Sequence, residues 1–364
     1  EHMLMNTGNT IVYVGTYTQV LPHVQGSADG VYVYQFDAAT GALTYRSVGT
    51  GVVNPSFVTV DPQRSVLYAV QEIGEYAGQQ GGAVSSFAID PTTQALTLIN
   101  TQPTHGAHPC YVSVDASGQW LLVANYSGGN VTVLPIGSDG TLGTPTAVVA
   151  HVGVPTHHDA PHPHCIRSLP GDWIVATDCG LDRVAVYRLD TTNGTLSANE
   201  PPWTMLAPGA GPRHVALHAN GTWLYCINER NSSMSVLVYD ANAGTLHELQ
   251  TLSTLPVNFS SSNSCADVRI HPSGQFVYGS NRGHDSIVIF AIDPVTGLLE
   301  LRGHHSTGGR TPRNFAIDPS GSFLLAANQD SNSVITLRID PATGMLSETG
   351  QIANIPSPVC VWFA

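Results

Sequence analysis

A short apolar stretch closed by a polar residue recurs seven times along the chain: IVYVGTY (11–17), VLYAVQE (66–72), WLLVANY (120–126), WIVATDC (173–179), WLYCINE (223–229), FVYGSNR (276–282) and FLLAANQ (323–329). Rich in Val, Leu, Ile and aromatic residues, each reads as a buried β-strand. A turn position before a last strand recurs in step with it, at Gly41, Gln94, Gly140, Gly194, Gly244, Gly297 and Gly344. An all-strand period of about fifty residues is the signature of a β-propeller, with one four-stranded sheet per blade. The expected fold is therefore all-β, a seven-bladed β-propeller occupying 10–364 as one domain. Residues 1–9 read as a cloning remnant (Glu1-His2-Met3) and an N-terminal extension.

One unit shows the pattern. PRHVALHA is a strand, ANGT a turn, WLYCINE a strand, NSS a loop, MSVLVYD an alternating strand, ANAG a turn and TLHEL a fourth strand. Asn, Asp, Ser and Gly supply the turns, where positive φ or side-chain bonding to the backbone is needed. Inner strands start near Pro55, Pro109, Pro163, Pro212, Ala266, Pro312 and Pro358. Nothing follows the last of them, PVCVWF, whereas the N-terminus offers three strands, IVYVGTYT, GVYVYQFD and ALTYRSVG. Pairing the C-terminal strand with these three closes the ring and removes open sheet edges.

The formal charge of −13 argues against nucleic acid as a partner. No apolar run reaches membrane-spanning length, so no membrane partner is expected. All 13 basic residues are Arg, which excludes lysine Schiff-base chemistry and leaves only planar guanidinium groups to meet an anion. Six cysteines without a CxxC pair read as free core residues and suggest a reducing, cytoplasmic compartment; a signal peptide removed earlier stays open.

The first two strands of a blade form an antiparallel hairpin, so the start of one lies beside the end of the other. Those ends gather around the central channel. The residues after each inner-strand start are Ser56, Cys110, His164, Arg213, Asp267, Arg313 and Val359; the residues ending each second strand are Tyr17, Glu72, Tyr126, Cys179, Glu229, Arg282 and Gln329. In a chain only 11% charged, this concentration of Arg, Glu, Asp and His is the inventory of a site for an anionic, ester-like molecule. Simple hairpin pairing couples Arg213 with Glu229, Asp267 with Arg282 and Arg313 with Gln329. Ion pairs that merely close the channel are the competing reading.

Asn125, Asp178, Asn228, Asn281 and Asn328 recur one place before the strand end and read as structural. The segment HHDAPHPH (157–164) carries the densest histidine cluster. Its prolines impose an extended path that scatters the side chains, so His157, His158 and His162 are weak metal candidates and no metal or other cofactor is expected. No GxSxG elbow and no glycine-rich phosphate loop is present.

The segments GAGPRHVALHANGTWLYCINERNSS, SNRGHDSIVIFAIDPVTGLL and TPRNFAIDPSGSFLLAANQDSNSVITLRIDPATGML resemble the seven-bladed propeller lactonases, the family of bacterial propeller-type 6-phosphogluconolactonases, with the fungal carboxy-cis,cis-muconate cyclases as relatives. The resemblance spans roughly 10–363. It implies a cytoplasmic hydrolase of carbohydrate metabolism (the pentose phosphate pathway) that opens a sugar-derived lactone, foremost 6-phosphogluconolactone. From the cyclase branch it implies catalytic residues at His164 (in PHPHC), Arg213 (in GPRH), Glu229 (in INE) and Arg282 (in SNR), positions that hairpin pairing selects independently. Glu229 or His164 would be the base. Arg213 would orient that base or hold the oxyanion, and Arg282, with Arg313, would bind a phosphate or carboxylate. Asp267, Gln329 and Glu72 complete the substrate-binding set. The expected partner is a small lactone or sugar acid. A lactonising cycloisomerase would use the same residue types, and a non-enzymatic binding scaffold is the remaining alternative.

Overall fold

A computed structural model describes residues 10–153 and 160–364. Seven four-stranded antiparallel sheets stand around a common axis. Blade 1 runs outward from Pro358–Phe363 through Thr10–Thr16 and Val31–Phe36 to Leu43–Gly49. The chain ends are thus joined by a ladder, with Val12 opposite Phe363, Tyr13 opposite Trp362 and Val14 opposite Val361. Blades 2 to 7 follow in sequence order, and their inner strands are Val58–Asp61, Pro109–Val114, Pro163–Leu169, Pro212–Leu217, Ser264–Ile270 and Pro312–Ile317. Each inner strand packs against the next, and Pro358–Phe363 touches both Pro312–Ile317 and Val58–Asp61, which closes the circle. Among the described residues the one helical element is a 3-10 turn, Gln329–Ser331, and no helix is long and apolar enough to cross a membrane.

The core lies between blades. Second strands such as Val66–Gln71, Trp120–Asn125 and Phe323–Asn328 are buried along their whole length, as continuous apolar runs covered on both faces require. The recurrent turn stitches neighbouring blades together. Gly194, at φ 68°, sits against the Trp120 ring of the preceding blade, where an added Cβ would come within 2.1 Å of the indole. Trp120 Nε1 also donates to Thr191 O of that same turn at 3.1 Å. In blade 2 the equivalent position is Gln94, which adopts the same left-handed conformation (φ 62°) without being glycine. All six cysteines are free and buried.

Inner strands do not run straight onto their partners. The ladder skips one residue between Pro109 and Tyr111, Pro163 and Cys165, Pro212 and His214, and Pro312 and Asn314. Cys110, His164, Arg213 and Arg313 are therefore the extra residues of β-bulges, unpaired in the ladder and re-aimed by it. Blade 6 carries a related irregularity between Cys265 and Val268, and blade 1 one that leaves out Val359.

Candidate active site

The bulges of blades 3, 4, 5 and 7 each turn one side chain toward the axis, beside the ends of the second strands. A cavity of about 440 Å³ opens there, lined by His164, Glu229, Arg282, Arg313 and Glu72 together with His23, His108, Cys110 and Tyr126. Its floor is a charged cluster. Glu229 Oε2 lies 2.8 Å from Arg213 Nε and 3.0 Å from an Arg282 terminal nitrogen. Arg213 is only 2% exposed, and its Nε–H is not aligned for a hydrogen bond with that carboxylate. Arg213 Nη1 is instead tied to Ala266 O, while Arg282 Nη2 donates to Cys265 O at 2.7 Å. Burial alone would raise the Glu229 carboxyl, but Arg282, Arg213 and Arg313 outweigh it and hold it at about 2. Glu229 is therefore an ionised anchor between guanidinium groups and a feeble proton acceptor.

His164 is almost fully buried. Its ring meets Tyr126 and His214 edge to face, at 5.5 and 5.2 Å, and its Nδ1 is 3.7 Å from Cys110 Sγ. Burial, then Arg213 and His214, push its pKa well below the usual imidazole range, so it is neutral.

A second network supports the floor. Asp267 accepts hydrogen bonds from His214 Nδ1 (2.8 Å), Arg269 Nε (3.0 Å) and Asn314 Nδ2 (2.7 Å). Burial opposes its ionisation, yet Arg269, His214 and Arg213 hold it at about 2. An ionised Asp267 only accepts, so His214 carries its proton on Nδ1 and turns Nε2 toward Arg213 Nη1, 3.4 Å away.

Of the pairings expected from the hairpins, Arg213 with Glu229 is present. Asp267 does not pair with Arg282: the bulge shifts the register so that Arg282 faces Ser264, and Asp267 turns toward His214, Arg269 and Asn314 below the cavity. Nor does Arg313 pair with Gln329. Gln329 begins the 3-10 turn, and its side-chain amide donates to Asp330 and to His23 O in a neighbouring recess. Arg313 lies over the Tyr17 ring at 5.6 Å and makes no ion pair or hydrogen bond among the described residues.

His157 and His158 lie outside the described residues. His162 stacks on Tyr126 at 4.2 Å and directs Nδ1 at Tyr126 O, and among the described residues no group of three or more His, Cys, Asp or Glu side chains converges as a metal site would. The recurrent polar positions bond locally, as Asn228 does to Ser233 and Ser235 and Asn281 to Thr254 O.

Sequence reasoning missed His23 and His108. His23 sits on a small hairpin, Val20–Leu21 with Val24–Gln25, inserted between the first two blade 1 strands of the N-terminal segment, and contacts the Tyr17 ring edge-on at 5.4 Å. The signal was the length of that connection. His108 precedes the inner-strand proline in a left-handed conformation (φ 53°), as Asn54, Gly211, Thr311 and Ser357 do in their blades.

Residues 11–363 match the sequence profile of a family described as "Lactonase, 7-bladed beta-propeller". The chain is 35% identical over 356 residues to 6-phosphogluconolactonase of Bacillus subtilis, covering 97% of this chain and 98% of that one. Its fold superposes with a TM-score of 0.90 on a putative 6-phosphogluconolactonase of Bacteroides fragilis, at 33% identity and full coverage of both chains. A periplasmic gluconolactonase of Pseudomonas aeruginosa gives the same TM-score and identity, covering 98% of this chain and 99% of that one.

Proposed function

The chain belongs to the seven-bladed β-propeller lactonases, and on that premise we propose that it hydrolyses a sugar-derived lactone, 6-phosphogluconolactone to 6-phosphogluconate. One observation carries the anionic substrate: Arg313 lines the cavity and makes no ion pair or hydrogen bond among the described residues, so its guanidinium is left for the ligand. The cavity lining holds Arg282 and Arg313 against Glu72 and Glu229, and the buried Arg213 stands behind Glu229 as a third guanidinium.

In this reading Arg313 clamps the phosphate, for which its planar fork is suited. Arg282 lines the cavity beside Glu229 and stabilises the oxyanion as water adds to the lactone carbonyl. Glu229 fixes Arg213 and Arg282 at short distance. The neutral His164 accepts a hydrogen bond from the substrate at the cavity floor. The relatives include a protein described as a periplasmic gluconolactonase, so the unphosphorylated lactone is the natural comparison substrate. A phosphorylated substrate fits a cytoplasmic enzyme of carbohydrate metabolism, acting in the pentose phosphate pathway. The reading is tested by acid release from a lactone panel: the phosphorylated δ-lactone should be opened with the highest kcat/KM, and a protein inert on every lactone would end it.

A further inference from the structure

We propose that Glu72 is the general base that takes the proton from the attacking water, an assignment that rests on the lactonase reading. Glu72 directly follows the second strand of blade 2, Val66–Gln71, and lines the same cavity as His164, Glu229, Arg282 and Arg313. Its backbone is fixed from both sides: Glu72 N donates to Asn54 O at 3.1 Å, and Asn54 Nδ2 donates to Glu72 O at 3.3 Å. Its carboxylate is fixed too. Oε2 accepts the Tyr17 hydroxyl at 2.9 Å and the Ser56 hydroxyl. Oε1 has no donor among the described residues and is not one of the buried atoms left without a partner, so it is open to the cavity. One oxygen is held and the other presented, which is the geometry a positioned base requires.

Glu229 and His164, the other two candidates for the base, are worse placed. Glu229 is gripped by two arginines through its Oε2. His164 is wedged between Tyr126 and His214 with Nδ1 on the Cys110 side. Glu72 makes no ion pair among the described residues. The titratable and charged groups acting on it from the elements around it are Tyr17, His23, Cys110 and Arg313, with Glu229 and His108 across the cavity. Arg313 lies over the Tyr17 ring, so the cationic clamp and the base share one support.

The step balances without a further reagent. The water oxygen bonds to the lactone carbonyl carbon, its proton passes to Glu72 Oε1, and the negative charge moves to the former carbonyl oxygen. As the carbonyl re-forms, the ring C–O bond breaks and Glu72 returns the proton to the departing ring oxygen. The products are a hydroxyl and a carboxylic acid, whose ionisation releases the proton that the assay reads.

The test compares wild type with Glu72→Gln, Glu72→Ala and Glu229→Gln on the phosphorylated δ-lactone, corrected for spontaneous opening. Gln keeps an oxygen to accept the Tyr17 and Ser56 hydroxyls, so circular dichroism and Tm of Glu72→Gln should stay at wild-type values. Its kcat should fall at least about a hundredfold with KM within about threefold. Added formate should restore part of the activity of Glu72→Ala and none of that of Glu229→Gln. Glu72→Gln that folds normally and keeps kcat within about threefold of wild type overturns the assignment while leaving the lactonase reading intact. Wild-type protein that opens no lactone overturns both.

Discussion

Arg213 Nε and Glu229 Oε2 stand 2.8 Å apart at the floor of the cavity, one from a bulge on the inner strand of blade 5 and the other from the end of its neighbour. The contact joins a guanidinium that water scarcely reaches to a carboxylate that is one-fifth exposed. Removing the carboxylate leaves Arg213 and Arg282 close together without their shared anion. Glu229→Ala should lose about 3–5 kcal/mol of unfolding free energy in urea, because breaking one side of a buried pair strands the other. Activity should fall with it; a variant as stable as wild type would mean that Arg213 finds another anion.

Arg313 offers a sharper test of substrate charge. Arg313→Met keeps bulk over Tyr17 and removes the fork. KM for the phosphorylated lactone should rise about tenfold or more, the loss expected for one charged contact, while KM for the unphosphorylated δ-lactone should hardly change. Equal losses on both substrates would show that Arg313 does not read the phosphate.

Acid stability should decline in two stages. His214 is buried against Arg213, Asp267 and Arg269, with the His164 ring beside it. Burial and then Arg213 lower its pKa from 6.5 to about 4, against the pull of Asp267. The unfolded chain therefore takes up this proton first; the contribution is whole above the ordinary value and is lost as pH falls toward 4. Glu229, lowered from 4.5 to about 2, and Asp267, lowered from 3.8 to about 2, contribute above their ordinary values and lose that contribution as pH drops toward 2. Urea midpoints measured against pH should show both declines, and His214→Gln should flatten the upper one.

The recurrent turn predicts opposite effects at equivalent positions. Gly194→Ala imposes a left-handed alanine and drives its Cβ into Trp120, so Tm should drop, with a cost above about 1 kcal/mol. Gln94→Gly relieves a left-handed non-glycine residue and should leave stability equal or raise it by up to about 1 kcal/mol. Differential scanning calorimetry of the two variants separates a conformational requirement from a packing one.

Removing residues 358–364 deletes the inner strand of blade 1 and the ladder that Thr10–Thr16 forms with it. The remaining chain should show no cooperative unfolding transition, since the deletion bares the edge of Thr10–Thr16 and opens the ring between Pro312–Ile317 and Val58–Asp61. A truncated protein with a sharp thermal transition would contradict this.

The repeat was readable because each blade buries its second strand on both faces, and that demands an apolar run the eye can align. The recurring turn was readable for the same reason, and Gln94 fell in register although it breaks the glycine rule. Asp178 and its amide counterparts could be recognised as structural because they recur regardless of the charge beside them. The Asp267–Arg282 error has a physical source: a bulge changes strand register by one residue without altering the apolar alternation, so nothing in the pattern marks it. Gln329 escaped through a tight turn that begins at that residue. His23 came in on a small hairpin that follows the second strand in blade 1 and has a counterpart, Glu75–Tyr76 with Gln79–Gln80, in blade 2, so it stands outside the sevenfold repeat.

A residue left out of the ladder carries none of the pairing that holds its blade together. Cys110, His164, Arg213 and Arg313 occupy such places in four blades, while the surrounding strands keep their pairing through adjacent residues. Sheet integrity and active-site chemistry are consequently written at separate addresses. Such an address can hold a thiol, an imidazole or a guanidinium without a change in strand pairing, so this architecture offers a route to new substrate preferences through side chains alone.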